Sequence, residues 1–141
     1  MKRLFFTASV VACLLSLSSF GSERNLPDAL QSFYKTFRNA QNVTWTQVSD
    51  MLRIGFTMNG RQQFAYYSND DLVVLATEIT AEELPQNLKT QLSEYEGYVV
   101  MKTYELSENN MKEYCVVMQG ASKHITLKGK KRWKVYVNEK I

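Results

Sequence analysis

From about residue 26 onward the chain alternates between two hydrophobic periods, and it does so twice. Leu26, Leu30, Phe33, Tyr34 and Phe37 recur at helical spacing, as do Leu84, Leu88, Leu92 and Tyr95. Pro27 and Pro85 suit a first helical turn, where a missing N–H leaves no bond unmade. After each helical stretch the period falls to two. The pattern predicts strands at Val43–Val48, Met51–Met58, Arg61–Tyr67 and Leu72–Ile79 after the first helix. After the second it predicts Tyr98–Leu106, Lys112–Met118, Ser122–Leu127 and Arg132–Asn138.

Turn chemistry sets the register. Asn59-Gly60 is a strong hairpin signal, because a type I′ turn needs positive φ at both central residues. Two-residue turns at Ser49-Asp50 and Asn59-Gly60 place Trp45 opposite Ile54, Val43 opposite Phe56, Ile54 opposite Ala65 and Leu52 opposite Tyr67. Val43, Trp45, Leu52, Ile54, Phe56, Ala65 and Tyr67 therefore share a face expected to pack on a helix. The same arithmetic in the second half gives Tyr114, Val116, Ile125 and Leu127. The opposite face holds Thr44, Thr46, Arg53, Gly55, Thr57, Phe64, Tyr66, Val73 and Leu75. Leu72 to Ala76 is apolar on both sides, which fits a junction where the two sheets join.

The two halves also share words. LPDAL starts at Leu26 and LPQNL at Leu84. MLRIGFTMNG from Met51 matches MKEYCVVMQG from Met111, with Met51/Met111, Met58/Met118 and Gly60/Gly120 in step. Thr80 with Glu83 has the spacing of a capping box just before the second helix. The expected fold is α+β: a tandem duplication of a helix plus a four-stranded antiparallel sheet, with repeats at about 26–80 and 84–141 and the helices on one face.

The first 21 residues read as an export signal. Lys2 and Arg3 precede an almost wholly apolar or small run from Leu4 to Leu17, and Ser19-Phe20-Gly21 offers small residues to a signal peptidase. The run is too short for a membrane span. A lipid anchor at Cys13, in Val10-Val11-Ala12-Cys13, is the alternative. Cleavage near Gly21 would lower the net charge from +3 to +1 by removing Lys2 and Arg3, too balanced for a nucleic-acid binder. It would also leave Cys115 as the lone cysteine, so no internal disulfide would hold the fold. The pattern sets no oligomeric state.

The helix-and-four-strand order, the two Leu-Pro openings at Leu26-Pro27 and Leu84-Pro85, the Asn42-Val43-Thr44-Trp45 segment and the Phe56 strand resemble the PepSY-like, beta-lactamase-inhibitor-like (BLIP-like) domains of bacterial envelope proteins. The resemblance covers Leu26 to Ile141. It implies a periplasmic or secreted module, with a binding surface on the open sheet face and no catalytic residues to carry over.

Candidate chemistry is sparse. A two-residue turn at Gln119-Gly120 sets Cys115 opposite His124, a pair that would suit a thiolate nucleophile or a soft metal site, or two ordinary strand residues. With one histidine and no CxxC, structural zinc is not expected, and no cofactor is implied. Asp70-Asp71 and Glu82-Glu83 fall where a turn and a helix start attract acids anyway. Lys128, Lys130, Lys131, Arg132 and Lys134 crowd a hairpin around Gly129. They suit contact with an anionic surface, or a solvated turn that discourages edge aggregation. The expected function is a non-enzymatic binding module that meets another envelope or secreted protein through its sheet face. Arg53, Phe64 and Tyr66 are the candidate contacts, and the resemblance suggests modulation or inhibition of a peptidase or hydrolase. A small-molecule or lipid-binding envelope protein is the alternative, and an enzyme using Cys115 and His124 a further one.

Overall fold

The computed structural model describes residues 28–140, so the expected signal, the Cys13 anchor, Leu26 and Pro27 lie outside the described residues. Helix α1 (Asp28–Thr36) is followed by β1 (Gln41–Val48), β2 (Met51–Met58), β3 (Arg61–Ser68) and β4 (Asp71–Ile79). A 3-10 turn (Ala81–Glu83), α2 (Gln86–Gln91) and a second 3-10 turn (Leu92–Glu94) lead into β5 (Val99–Glu108), β6 (Met111–Gln119), β7 (Lys123–Gly129) and β8 (Trp133–Lys140). Each strand pairs antiparallel with the next, giving one eight-stranded sheet in the order β1 to β8. The two repeats fuse where β4 meets β5, with Ala76 opposite Leu106 and Glu78 opposite Tyr104.

Both helices pack on one face. Ala29, Leu30 and Phe33 of α1, with Phe37 beyond it, bury against Leu52, Ile54, Phe56, Ala65 and Tyr67, with Val43 and Trp45 at the margin. Leu84 and Leu88 bury against Val116, Met118, Ile125, Leu127 and Trp133 in the second repeat. Trp45 faces Ile54, Ile54 faces Ala65 and Leu52 faces Tyr67, as the alternation predicts. The Asn59-Gly60 turn has positive φ at both residues (53° and 74°), the geometry a type I′ turn requires.

Three register expectations are corrected. Val43 does not simply oppose Phe56: a bulge lies between Gln41 and Thr44, where Asn42 takes φ 52°. A second bulge sits where Tyr66 pairs with Val74 but Tyr67 with Leu72, so Val73 is the extra residue. It moves Leu75 to the helix side and puts Val74 and Ala76 on the other face. Finally, Gln119 pairs with His124, because the tip of the turn is Ala121-Ser122 and the Gly120 N–H donates to Lys123 O at 2.8 Å.

One carboxylate ties the link between the repeats to β3. Glu83 accepts a bidentate pair from Arg61 (2.6 and 3.0 Å) and a bond from the Thr80 N–H at 2.8 Å. The Arg61 hydrogen bond, then the Thr80 N–H, hold its carboxyl down from 4.5 to about 2. A folded value below the unfolded one stabilises fully above about pH 4.5, and the effect fades as pH falls towards about 2. Glu83→Gln should therefore lower the urea midpoint at about pH 6, with the gap to the parent closing near pH 2. A gap independent of pH contradicts the assignment.

Candidate functional site

The face away from the helices carries a cluster of its own. Met51, Tyr66, Val74, Ala76, Tyr104, Leu106 and Cys115 are buried there, with Val48, Phe64, Val73 and Tyr136 packed against them and no helical residue among them. The candidate contacts from the sequence come together on this face. Arg53 pairs across the ladder with Tyr66, and Phe64 with Gly55. The Arg53 guanidinium carbon sits 5.2 Å from the Phe64 ring centroid, a cation–π arrangement, and Phe64 meets Tyr104 edge-on at 6.2 Å. Gly55 makes room for this stack, since a Cβ there would lie 3.2 Å from the Phe64 ring. Arg53 (4% exposed) and Tyr66 (0%) are buried, whereas Phe64 is half-buried.

Cys115 belongs to the same cluster but not to a dyad. It pairs with Lys128, and His124 lies four residues along β7, roughly 13 Å away at strand rise. Burial pushes the Cys115 thiol up to about 12, against a smaller opposing pull from Lys128, so it stays protonated at neutral pH. The Tyr104 hydroxyl is likewise pushed up to about 12, by burial first and then by Glu78. Among the described residues no group of three or more His, Cys, Asp and Glu side chains is placed to hold a metal ion.

Towards the end of the sheet where the β3–β4, β5–β6 and β7–β8 turns gather, this face opens into a trough of about 810 Å³. Val74, Leu106, Met111 and Tyr136 give it apolar walls, and Lys128, Lys130, Lys131, Arg132 and Lys134 give it cations. Lys128, with its side chain only 13% exposed, is bonded to Glu113 at 2.9 Å and stands 5.9 Å from the Tyr136 ring centroid. Lys130, Lys131 and Arg132 are exposed at the hairpin tip.

That tip is tied to α2. The side-chain amides of Asn87 and Gln91 both donate to Lys131 O at 2.9 Å, and the Trp133 N–H donates to Gln91 Oε1 at 3.1 Å. The Trp133 indole Nε1–H donates to Leu88 O at 2.8 Å. Sequence reasoning found the basic residues but missed Met111, Glu113, Tyr136 and these ties. The available signal was Trp133, an apolar residue set inside a run of cations.

The molecule is thus an α+β protein of duplicated helix-and-sheet units whose sheet face away from α1 and α2 holds an aromatic cluster and a basic trough. Among the described residues, no helix is long and apolar enough to cross a membrane. No family model matches the chain, and no curated protein does. Solved structures share its fold. A DUF2874 family protein from Bacteroides uniformis superposes with a TM-score of 0.70 at 16% identity, covering 82% of this chain and 89% of its own. A protein from Bacteroides eggerthii, provisionally described as periplasmic, gives 0.70 at 15% identity, covering 87% and 91%. A BLIP-like protein from Bacteroides fragilis gives 0.65 at 19%, covering 84% and 89%. At such identities the likeness is one of fold, and it agrees with the resemblance carried by the sequence.

Proposed function

We propose that the protein is a non-enzymatic binding module, exported to the periplasm or beyond the cell, that engages another protein through the sheet face opposite α1 and α2. The observation that carries this reading is the aromatic stack on that face: Phe64, half-buried, held between Arg53 and Tyr104. Phe64 is the side chain of the candidate trio with surface to offer; Tyr66 is buried, and buried Arg53 lies over the Phe64 ring. An aromatic ring fixed in this way contributes contact area at small entropic cost. The signal-like first 21 residues support export, and the fold shared with a BLIP-like protein supports binding over catalysis. Modulation of a hydrolase or peptidase is the finer form of this reading.

The test is a crosslinking pull-down from envelope extract with the parent and with Phe64→Ala, checked for folding by circular dichroism. Loss of a discrete captured protein in the folded variant is the expected result. Equal capture by both would move the contact off this face.

A further inference from the structure

We propose that the trough between β4, β5, β6 and the β7–β8 hairpin is a binding site for a small amphiphilic anion, a carboxylate or similar acid borne on an apolar chain. This goes beyond the protein-binding reading and rests on different residues. The volume, about 810 Å³, falls in the range of sites that enclose one small ligand. Val74, Leu106, Met111 and Tyr136 offer an apolar bed for the chain.

The charge is placed to select an acid. Five cations and two carboxylates, Glu108 and Glu113, line the trough. Lys128 and Glu113 satisfy one another at 2.9 Å, which keeps the floor near neutral. Lys130, Lys131, Arg132 and Lys134 then outnumber the remaining carboxylate at the rim, so the excess charge is positive where a headgroup would sit. The hairpin that carries these cations is held by four hydrogen bonds to α2, through Asn87, Leu88 and Gln91. Its backbone is therefore set before a ligand arrives, which lowers the entropic cost of binding. A solvated turn would need neither the ties nor the apolar bed.

Titration calorimetry of the full chain with dodecanoate, below its micellar concentration, tests the proposal. The comparison proteins are Lys130→Gln/Arg132→Gln and a charge-matched control on α1 and its exit, Lys35→Gln/Arg38→Gln, and methyl dodecanoate serves as the uncharged probe. Because Lys130 and Arg132 are exposed, the double variant should keep the parent's melting temperature. The expected result is saturable one-to-one binding of dodecanoate, weakened about tenfold by the hairpin pair but not by the control pair, and about tenfold weaker again for the ester. No saturable binding, equal binding of the ester, or equal loss in both variants would overturn it. Binding to phosphatidylglycerol vesicles without binding of monomeric dodecanoate would also overturn it, in favour of a membrane-surface contact. Failure here leaves the Phe64 pull-down unaffected, so the two readings fall separately.

Discussion

Replacing Phe56 with alanine should lower the free energy of unfolding by about 3–5 kcal/mol. Phe56 has no exposed surface, and its ring meets Phe33 edge-on at 4.9 Å and Phe37 at 4.9 Å with a 46° tilt. Phe33 and Phe37 are in turn 5.1 Å apart. The trio is what joins α1 and its exit to β2, so the cavity left by alanine opens at the seam between helix and sheet. Neighbouring side chains cannot fill it without moving the helix, which places the expected loss at the upper part of the range for buried residues. Lys35→Ala, on the same helix but exposed, should stay within about 0.5 kcal/mol. Urea unfolding monitored by circular dichroism checks both. A loss for Phe56→Ala no greater than that for Lys35→Ala would mean that α1 is not held by this contact.

Trp133→Ala should be comparably damaging, at about 3–5 kcal/mol, and should also release the basic hairpin. Trp133 is 8% exposed, packs with Leu84, Leu88, Val116 and Leu127, and donates its indole N–H to Leu88 O at 2.8 Å. Trp133→Phe separates the two contributions, because it keeps most of the apolar ring and removes the donor. Its expected loss is about 1–2 kcal/mol, the scale of one buried hydrogen bond plus a smaller ring. Amide hydrogen exchange in the 129–134 segment should accelerate in both variants, and most in the alanine form. Unchanged exchange there would show that the hairpin is held by the Asn87 and Gln91 bonds alone.

How much of this was legible in the sequence depends on what each step needs. Which face a residue takes depends on parity, and parity is robust. The tip of the β6–β7 turn is Ala121-Ser122, two residues beyond Gln119-Gly120, so every pairing between β6 and β7 is displaced by four from the simple expectation. Four is even, and Val116, Ile125 and Leu127 still face the helix. The Cys115–His124 pair depended on the pairing itself and was lost with it. A bulge is worse, because one inserted residue inverts parity. Leu72, Val73, Val74 and Leu75 are all apolar, so that run carries no phase information and the bulge at Val73 left no mark in the pattern. The Asn59-Gly60 hairpin was readable because its chemistry admits few alternatives.

The trough was illegible for another reason. Val74, Leu106, Met111, Lys130 and Tyr136 come from three turns and their flanking strands, more than sixty residues apart at the extremes, and the β4–β5 and β6–β7 pairings bring them to one end of the sheet. The basic run from Lys128 to Lys134 could be seen, but not that its tip is fastened to α2 by Asn87 and Gln91. Phe64 and Arg53 were placed on a common face by alternation alone. Gly55 sits beside the stack, where a Cβ would crowd the Phe64 ring at 3.2 Å.

If the sheet face opposite α1 and α2 is the functional surface, site-specific photocrosslinking in intact cells will capture a partner from it. A photoreactive phenylalanine analogue would be placed at Phe64 and, separately, at Tyr34, which is 51% exposed on α1 across the sheet. A discrete adduct from Phe64 and none from Tyr34 is the predicted result. Adducts from Tyr34 with none from Phe64 would put the working surface on the helices instead.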